Sequence, residues 1–229
     1  GAHVGTFTLP LAYSVGWVGQ VFAFEPNPAS VELLRLNVAL NGLQSVIHIS
    51  NLALADAPAE YFVVGNRAAN SGAGYLVSGR PPQPTHRRRS SDKEAIGGTG
   101  PVAAVSLDGF LADVSSPRSP VSLIKIDVEG MEESVIAGAT ETIESDRPVV
   151  YFEVAAEQAR RSGLPDLAHL DYLHGLGYRF VRNVAARNAA DDDFRLEVVE
   201  ERNLAELIEA NDVTDLAAIP QETSLEALS

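Results

Sequence analysis

The chain has 229 residues, 45% hydrophobic and 21% charged, with no cysteine and a formal net charge of −14. Length and balance fit one soluble globular domain with a substantial core. The charge argues against nucleic acid as the main partner, since phosphate binding needs a basic face; the missing thiols exclude disulfides and thiolate metal sites. No apolar run approaches the roughly 18 residues of a membrane span. With no secretory signal either, the expected location is cytoplasmic. The chain opens on Gly1 without a methionine, which points to a segment lost upstream.

Residues 1–6 (GAHVGT) read as a glycine-spaced turn leading into a helical pattern through Phe7, Leu9, Leu11 and Ala12. Glycines at such a turn let backbone approach a ligand closely, and a following helix N-terminus offers N–H donors. The other use of the same glycines is a tight turn with close helix packing. A loop of this kind follows a strand, so a central first strand is expected upstream of Gly1. Gln20–Phe24 reads as the next strand and ends in Glu25, 20 positions after Gly5. In nucleotide-binding βαβ units an acidic residue at about that distance takes the ribose hydroxyls; alone, it would be a solvated charge. Asn27 and Pro28 then start a helix. Its Val31, Leu34 and Val38, with Leu33, Leu36 and Leu40, are expected in the core, and it stops at Asn41-Gly42.

Val46–Ser50 is a third strand, with His48 expected as a core or face residue, and Tyr61–Val64 is a short added one. Successive strand–helix units predict a doubly wound, mainly parallel α/β sheet. Residues 65–100 are rich in Gly, Ser, Pro and Arg, with a basic run at 86–89, and read as a flexible insertion. Val102–Leu107 predicts a strand, and Asp108 begins a short helix.

Val121–Glu133 (VSLIKIDVEGMEE) organises the remainder. Its apolar run around Lys125 is a buried strand. It breaks at Asp127, Glu129 and Gly130 into a helix expected to reach about Ser145. Ligands of open α/β sheets bind beyond the carboxyl ends of strands, so two carboxylates there suggest chemistry. A helix cap at Asp127 and a first-turn charge at Glu129 are the competing uses. Pro148–Val154 is a further parallel strand, with Glu153 near its end. A helix through Leu167–Leu176 carries His169 and His174, whose spacing puts them on different faces. Tyr178–Val184 and Phe194–Val199 are expected to close the sheet through an acidic turn at 191–193. The domain is expected to span 1–210, with 211–229 an acidic, weakly ordered tail.

With GAHVGTFTL at 1–9, FEPNP at 24–28, NLALAD at 51–56, SLDGFL at 106–111, IKIDVEGMEESVIAGA at 124–139 and RPVVYFEV at 147–154, the chain resembles the FkbM-type family of S-adenosylmethionine-dependent methyltransferases. The resemblance covers about two thirds of the chain. It implies a class I methyltransferase (Rossmann-like) fold, whose last two strands form an antiparallel hairpin. It also implies methyl transfer to a hydroxyl of a sugar, lipid or secondary-metabolite scaffold. Gly1, His3 and Gly5 match the loop under the methionine part of S-adenosylmethionine. Glu25 matches the ribose ligand, Ala53 and Leu54 the adenine wall, and Asp127 and Glu129 the acidic block at the methyl donor. The family's Asp two residues before the first glycine has no counterpart here.

A nicotinamide-dependent dehydrogenase would also use glycines and an acidic ribose ligand, but its fingerprint is GxGxxG, and Gly1 and Gly5 stand four apart. A non-catalytic, methyltransferase-like binding subunit is a further alternative, against which the retained Asp127–Gly130 block weighs. Two carboxylates sharing a divalent metal would need a third ligand, and none is evident nearby, so no metal is assigned. The acceptor is expected to be a small molecule or glycan.

Overall fold

The computed structural model describes residues 1–64, 75–78, 100–114, 119–154, 168–184, 196–200, 204 and 214–224. The chain forms two compact units, Gly1–Leu107 and Asp108–Ser229, where its length predicts one domain.

The first unit begins with α1 (Thr8–Val15) and a 3-10 turn (Gly16–Val18). β1 (Val21–Phe24), α2 (Pro28–Leu40) and β2 (Ile47–Ser50) follow. The two strands pair in parallel from Val21↔Ile47 to Phe24↔Ser50, as a strand–helix–strand unit requires. Asn27 caps α2 as the sequence predicts, its Oδ1 accepting from the Ala29 amide at 3.1 Å, with Pro28 at the first helical position. Gly42 ends the helix at φ +69°, a conformation glycine adopts without steric cost. Ala12, Ala23, Leu34, Val38, Leu43, Val46 and Ile47 form the core of this unit. Each large apolar side chain buried there contributes about 1.5–3 kcal/mol. Leu33, Leu36 and Leu40 do not join it: they are 52%, 54% and 75% exposed. A helix presents one stripe to a sheet, and Val31, Leu34 and Val38 already fill that stripe.

A four-stranded sheet completes the first unit: β3 (Ala53–Leu54), β4 (Ala59–Val64), β5 (Tyr75–Ser78) and β6 (Val102–Val105), in spatial order β3-β6-β4-β5. Only β3 and β6 run parallel; β4 is antiparallel to both its neighbours. The stretch expected as a flexible insertion thus contributes a paired strand at 75–78. Its remainder, with the basic run at 86–89, lies outside the described residues.

In the second unit, α3 (Leu107–Asp113) is followed by β7 (Leu123–Ile126), α4 (Glu132–Ala137), α5 (Thr140–Asp146) and β8 (Val149–Val154). α6 (Ala168–Gly175), β9 (Tyr178–Asn183), β10 (Leu196–Val199) and β11 (Thr214–Pro220) complete it. The single helix expected to reach about Ser145 is two, broken at Gly138-Ala139. Asp108 accounts for the break. Its amide donates to Gly138 O at 3.0 Å, and its carboxylate accepts from the amides of Glu141 and Thr142 and from Thr142 Oγ1. A carboxylate on the free N–H groups of a helix start satisfies donors that otherwise lack partners. The Asp of the SLDGFL motif is therefore a helix anchor.

The sheet of this unit runs β10-β9-β11-β8-β7. β7 and β8 are parallel, while β11 lies antiparallel between β8 and β9, and β10 is antiparallel to β9. This corrects two expectations. The four- and five-stranded sheets are mixed rather than mainly parallel, and residues 214–220 are an inner strand rather than part of a weakly ordered tail. Leu216, Ala218 and Ile219 are buried there. The alternation in TDLAAIP is short and its net composition acidic, which hides the strand among the flanking Asp and Glu residues. The expected pairing of the 178–184 and 194–199 strands is present as β9–β10; the acidic turn at 191–193 lies outside the described residues.

Among the described residues no helix is long and apolar enough to cross a membrane.

Candidate functional site

In the first unit the sequence-predicted residues converge on Glu25. This side chain follows the last residue of β1 and is 6% exposed, an unusual state for a carboxylate unless it is hydrogen-bonded. Its Oε2 accepts from the His3 amide at 2.7 Å and its Oε1 from the Asn27 amide at 2.9 Å. The glycine turn is thereby tied to the end of β1, a tie repeated by Gly1 N and Ala2 N, both donating to Phe24 O at 3.0 Å. His3 takes part through its backbone, at φ +48°, and Gly5 lies buried at φ +101°. A Cβ at Gly5 would stand 2.4 Å from Leu9 Cδ1 and 2.8 Å from Leu34 Cδ1, so its absence lets the turn settle onto α1 and α2. Asn37 Nδ2 donates to Val4 O at 2.8 Å and fixes the turn from the other side.

Ala53 and Leu54, buried and half-buried, form β3. Asn51 joins the ends of β1 and β2: its Nδ2 donates to Glu25 O and Pro26 O at 2.9 and 3.0 Å. Sequence reasoning passed over Asn51, although an amide directly after a parallel strand is a standard place for such a tie. His48 is an exposed face residue stacked on Phe22, with ring centroids 5.1 Å apart.

In the second unit the site forms at the carboxyl ends of β7 and β8. Side chains alternate along strands, and the register pairs Lys125 with Tyr151 and Glu153 with Asp215. Lys125, Asp127, Tyr151, Glu153 and Asp215 therefore share one face. The opposite face carries the buried Ile124, Ile126, Val150, Phe152, Val154 and Leu216. Lys125 Nζ stands 2.6 Å from Asp127 Oδ2, with the two side chains 13% and 37% exposed. Asp127 does not cap α4: Met131 stands at that position and offers no side-chain hydrogen bond. The turn beyond Asp127 is held open instead, with Glu129 at φ +56° and Gly130 at φ +103°. Glu132 Oε1 accepts from the amides of Val128 and Gly130 at 3.3 and 3.2 Å. A non-glycine residue in the left-handed region costs on the order of 1 kcal/mol and persists where surroundings impose it.

The electrostatics follow from crowding. Burial, then the charges of Asp127 and Glu132, raise the Glu129 carboxyl above its ordinary value. Burial pushes Glu153 up to about 7, with further contributions from Asp127, Glu129, Asp215 and Glu132. Tyr151 is pushed up to about 12, first by burial and then by Asp215. Near neutral pH the cluster thus holds a carboxyl group ready to exchange a proton. Glu132, Glu153 and Asp215 were not assigned from sequence; strand alternation from Asp127 across Glu153 would have found the second, and only the position of β11 reveals the third. Among the described residues no group of three or more His, Asp or Glu side chains is placed to hold a metal ion. His169 packs edge-on against Phe152 at 5.8 Å and is lowered to about 4 by burial, so it stays a neutral core residue.

The chain is 26% identical over 156 residues to the 2-O-methyltransferase NoeI of Sinorhizobium fredii, covering 67% of this chain and 61% of that protein. Among solved structures, it is similar to methyltransferase FkbM from Methylobacillus flagellatus KT, at 15% identity and a TM-score of 0.49, over 95% of this chain and 41% of that one. It is also similar to a SAM-dependent O-methyltransferase from Thermotoga maritima, at 12% identity and a TM-score of 0.41, over 98% of this chain and 58% of that one. The chain thus spans about three fifths of the curated relative and about two fifths of the first of these structures. Residues 1–180 match the model of the methyltransferase FkbM domain; the chain belongs to that family.

Proposed function

We propose that the chain is an S-adenosylmethionine-dependent methyltransferase of class I fold that methylates a hydroxyl of a small molecule or glycan: a sugar, lipid or secondary-metabolite scaffold. The observation that carries the reading is the Glu25 carboxylate, buried and anchored by two backbone amides. A carboxylate has about four acceptor positions, so two remain for a vicinal diol, the recognition group of a ribose. The residues therefore fit a nucleoside: Glu25 would hold the ribose, the Gly1–Gly5 turn the methionine part, and Ala53 with Leu54 the adenine. O-methylation is favoured because the relative NoeI is a 2-O-methyltransferase.

When bound, S-adenosylmethionine supplies a methyl carbon on a positively charged sulfur. The protein's part is to hold an acceptor oxygen in line with that carbon and to take the hydroxyl proton. The bound group would supply the methyl from its C–S bond to the acceptor oxygen, with the electron pair of that bond left on sulfur. Asp127 is the proton acceptor in this reading, with Glu129 beside it as second base or orienting group.

Calorimetry separates the possibilities. The full-length protein is expected to bind S-adenosylmethionine or its demethylated product and not NADH; binding of NADH alone would refute the assignment. Transfer of tritiated methyl groups over a panel of sugars, glycolipids and polyketides then identifies the acceptor. Asp127→Asn is expected to keep cofactor binding and lose about 10²-fold or more in turnover; normal turnover would clear Asp127 of the role.

A further inference from the structure

We infer that Lys125 is a positioning residue for the reaction, acting through Asp127; this rests on the reading of Asp127 as the proton acceptor. Lys125 is the one charged side chain in the strand LIKI of β7, and a largely buried position is a costly place for a long cation. Two facts explain its presence. Residues two apart on a strand face the same way, which puts Lys125 directly beneath Asp127. The ammonium then meets one carboxylate oxygen, Oδ2, at 2.6 Å, while its own side chain is only 13% exposed. Asp127 is 37% exposed, so the carboxylate is open on its outer side.

A base needs a fixed orientation and must be ionised before the acceptor arrives. Around Asp127 stand the carboxyl groups of Glu129, Glu132, Glu153 and Asp215. Burial first, and then the neighbouring carboxylates, raise Glu129 and Glu153. An ammonium in contact with Oδ2 places a positive charge beside Asp127 and fixes the plane of its carboxylate. Oδ1 is then the oxygen presented to a hydroxyl. A lysine suits this task better than a neutral donor, which would orient the carboxylate without balancing the surrounding charge.

The test compares full-length wild type, Lys125→Met, Lys125→Arg and Asp127→Asn, using tritiated S-adenosylmethionine and the hydroxyl acceptor found in the screen above. Lys125→Met is expected to lose about ten-fold or more in kcat with unchanged calorimetric affinity for S-adenosylmethionine. The acid limb of its pH–rate profile should move to higher pH, and Lys125→Arg should restore both the rate and the limb. A purely structural lysine would lower cofactor affinity and thermal stability together and leave the shape of the pH profile alone. That result, or a Lys125→Met enzyme with wild-type rate and profile beside an inactive Asp127→Asn, would overturn the inference and leave the parent reading intact. A fully active Asp127→Asn, or a screen that labels no acceptor, would overturn both.

Discussion

Replacing Glu25 by glutamine probes the first-unit site while nearly preserving its shape. The carboxylate serves the amides of His3 and Asn27 at 2.7 and 2.9 Å. A glutamine amide has a single oxygen, so it can accept from one of these and must turn its NH₂ toward the other. One charge-assisted bond worth about 1.5–3 kcal/mol is lost, and the survivor becomes a neutral bond worth about 0.5–1.5 kcal/mol. Removing a buried charge offsets part of that, which leaves a net cost of about 2 kcal/mol. Hydrogen exchange of the ligand-free chain, followed by NMR, reads this locally: 2 kcal/mol corresponds to roughly thirty-fold faster exchange of the His3 and Asn27 amides. The single tryptophan is a poor reporter, since Trp17 is 80% exposed. Exchange within two-fold of wild type at both amides would refute the argument that Glu25 holds the glycine turn. It would also leave the ribose assignment without its structural support.

Three further outcomes are expected. Leu216→Ala should destabilise the second unit by about 2–5 kcal/mol in urea, because Leu216 is fully buried on an inner strand; a tail residue would tolerate the change. Gly5→Ala should lower stability by about 1–3 kcal/mol, read by thermal melting, since the alanine would need φ near +101° and room now taken by Leu9 and Leu34. The third concerns pH. Glu153 titrates at about 7 in the fold against an ordinary 4.5, so the folded state holds the proton more tightly. Its stability contribution is fully present below pH 4.5 and lost as pH rises through 7. Glu153→Gln, which never ionises, should therefore match wild type in urea at pH 4 and exceed it at pH 8; equal effects at both would refute the shift.

Local signals were legible where local chemistry decides the outcome. Asn27-Pro28 and Asn41-Gly42 bracket α2 as the capping rules require, and Glu25 and one of its anchoring amides, that of Asn27, sit within one strand–helix connection. What the sequence hid depends on distant partners. Leu33, Leu36 and Leu40 have the same spacing as buried leucines, and only the position of the sheet separates the two stripes. Asp108 reads as a helix start, yet its carboxylate serves a different helix more than thirty residues away. Lys125 looks like a flaw in an apolar run until Asp127 is placed above it. Asp215 could not be assigned to the acidic face without knowing that β11 lies beside β8.

The placement of β11 also sets an order of assembly. β8 and β9 are synthesised well before residues 214–220, yet they do not pair with each other: the strand between them, β11, is made after both. Until it is in place, both present open backbone edges, the templates on which chains stick to one another. Nascent protein released early, or stalled short of Thr214, would carry a split sheet with Val150, Phe152, Phe180 and Val181 uncovered along the gap. Closing that gap joins residues dozens of positions apart and is intrinsically slow. Yield on expression is expected to fall when β11 inserts slowly, and chaperone capacity should matter most in that interval.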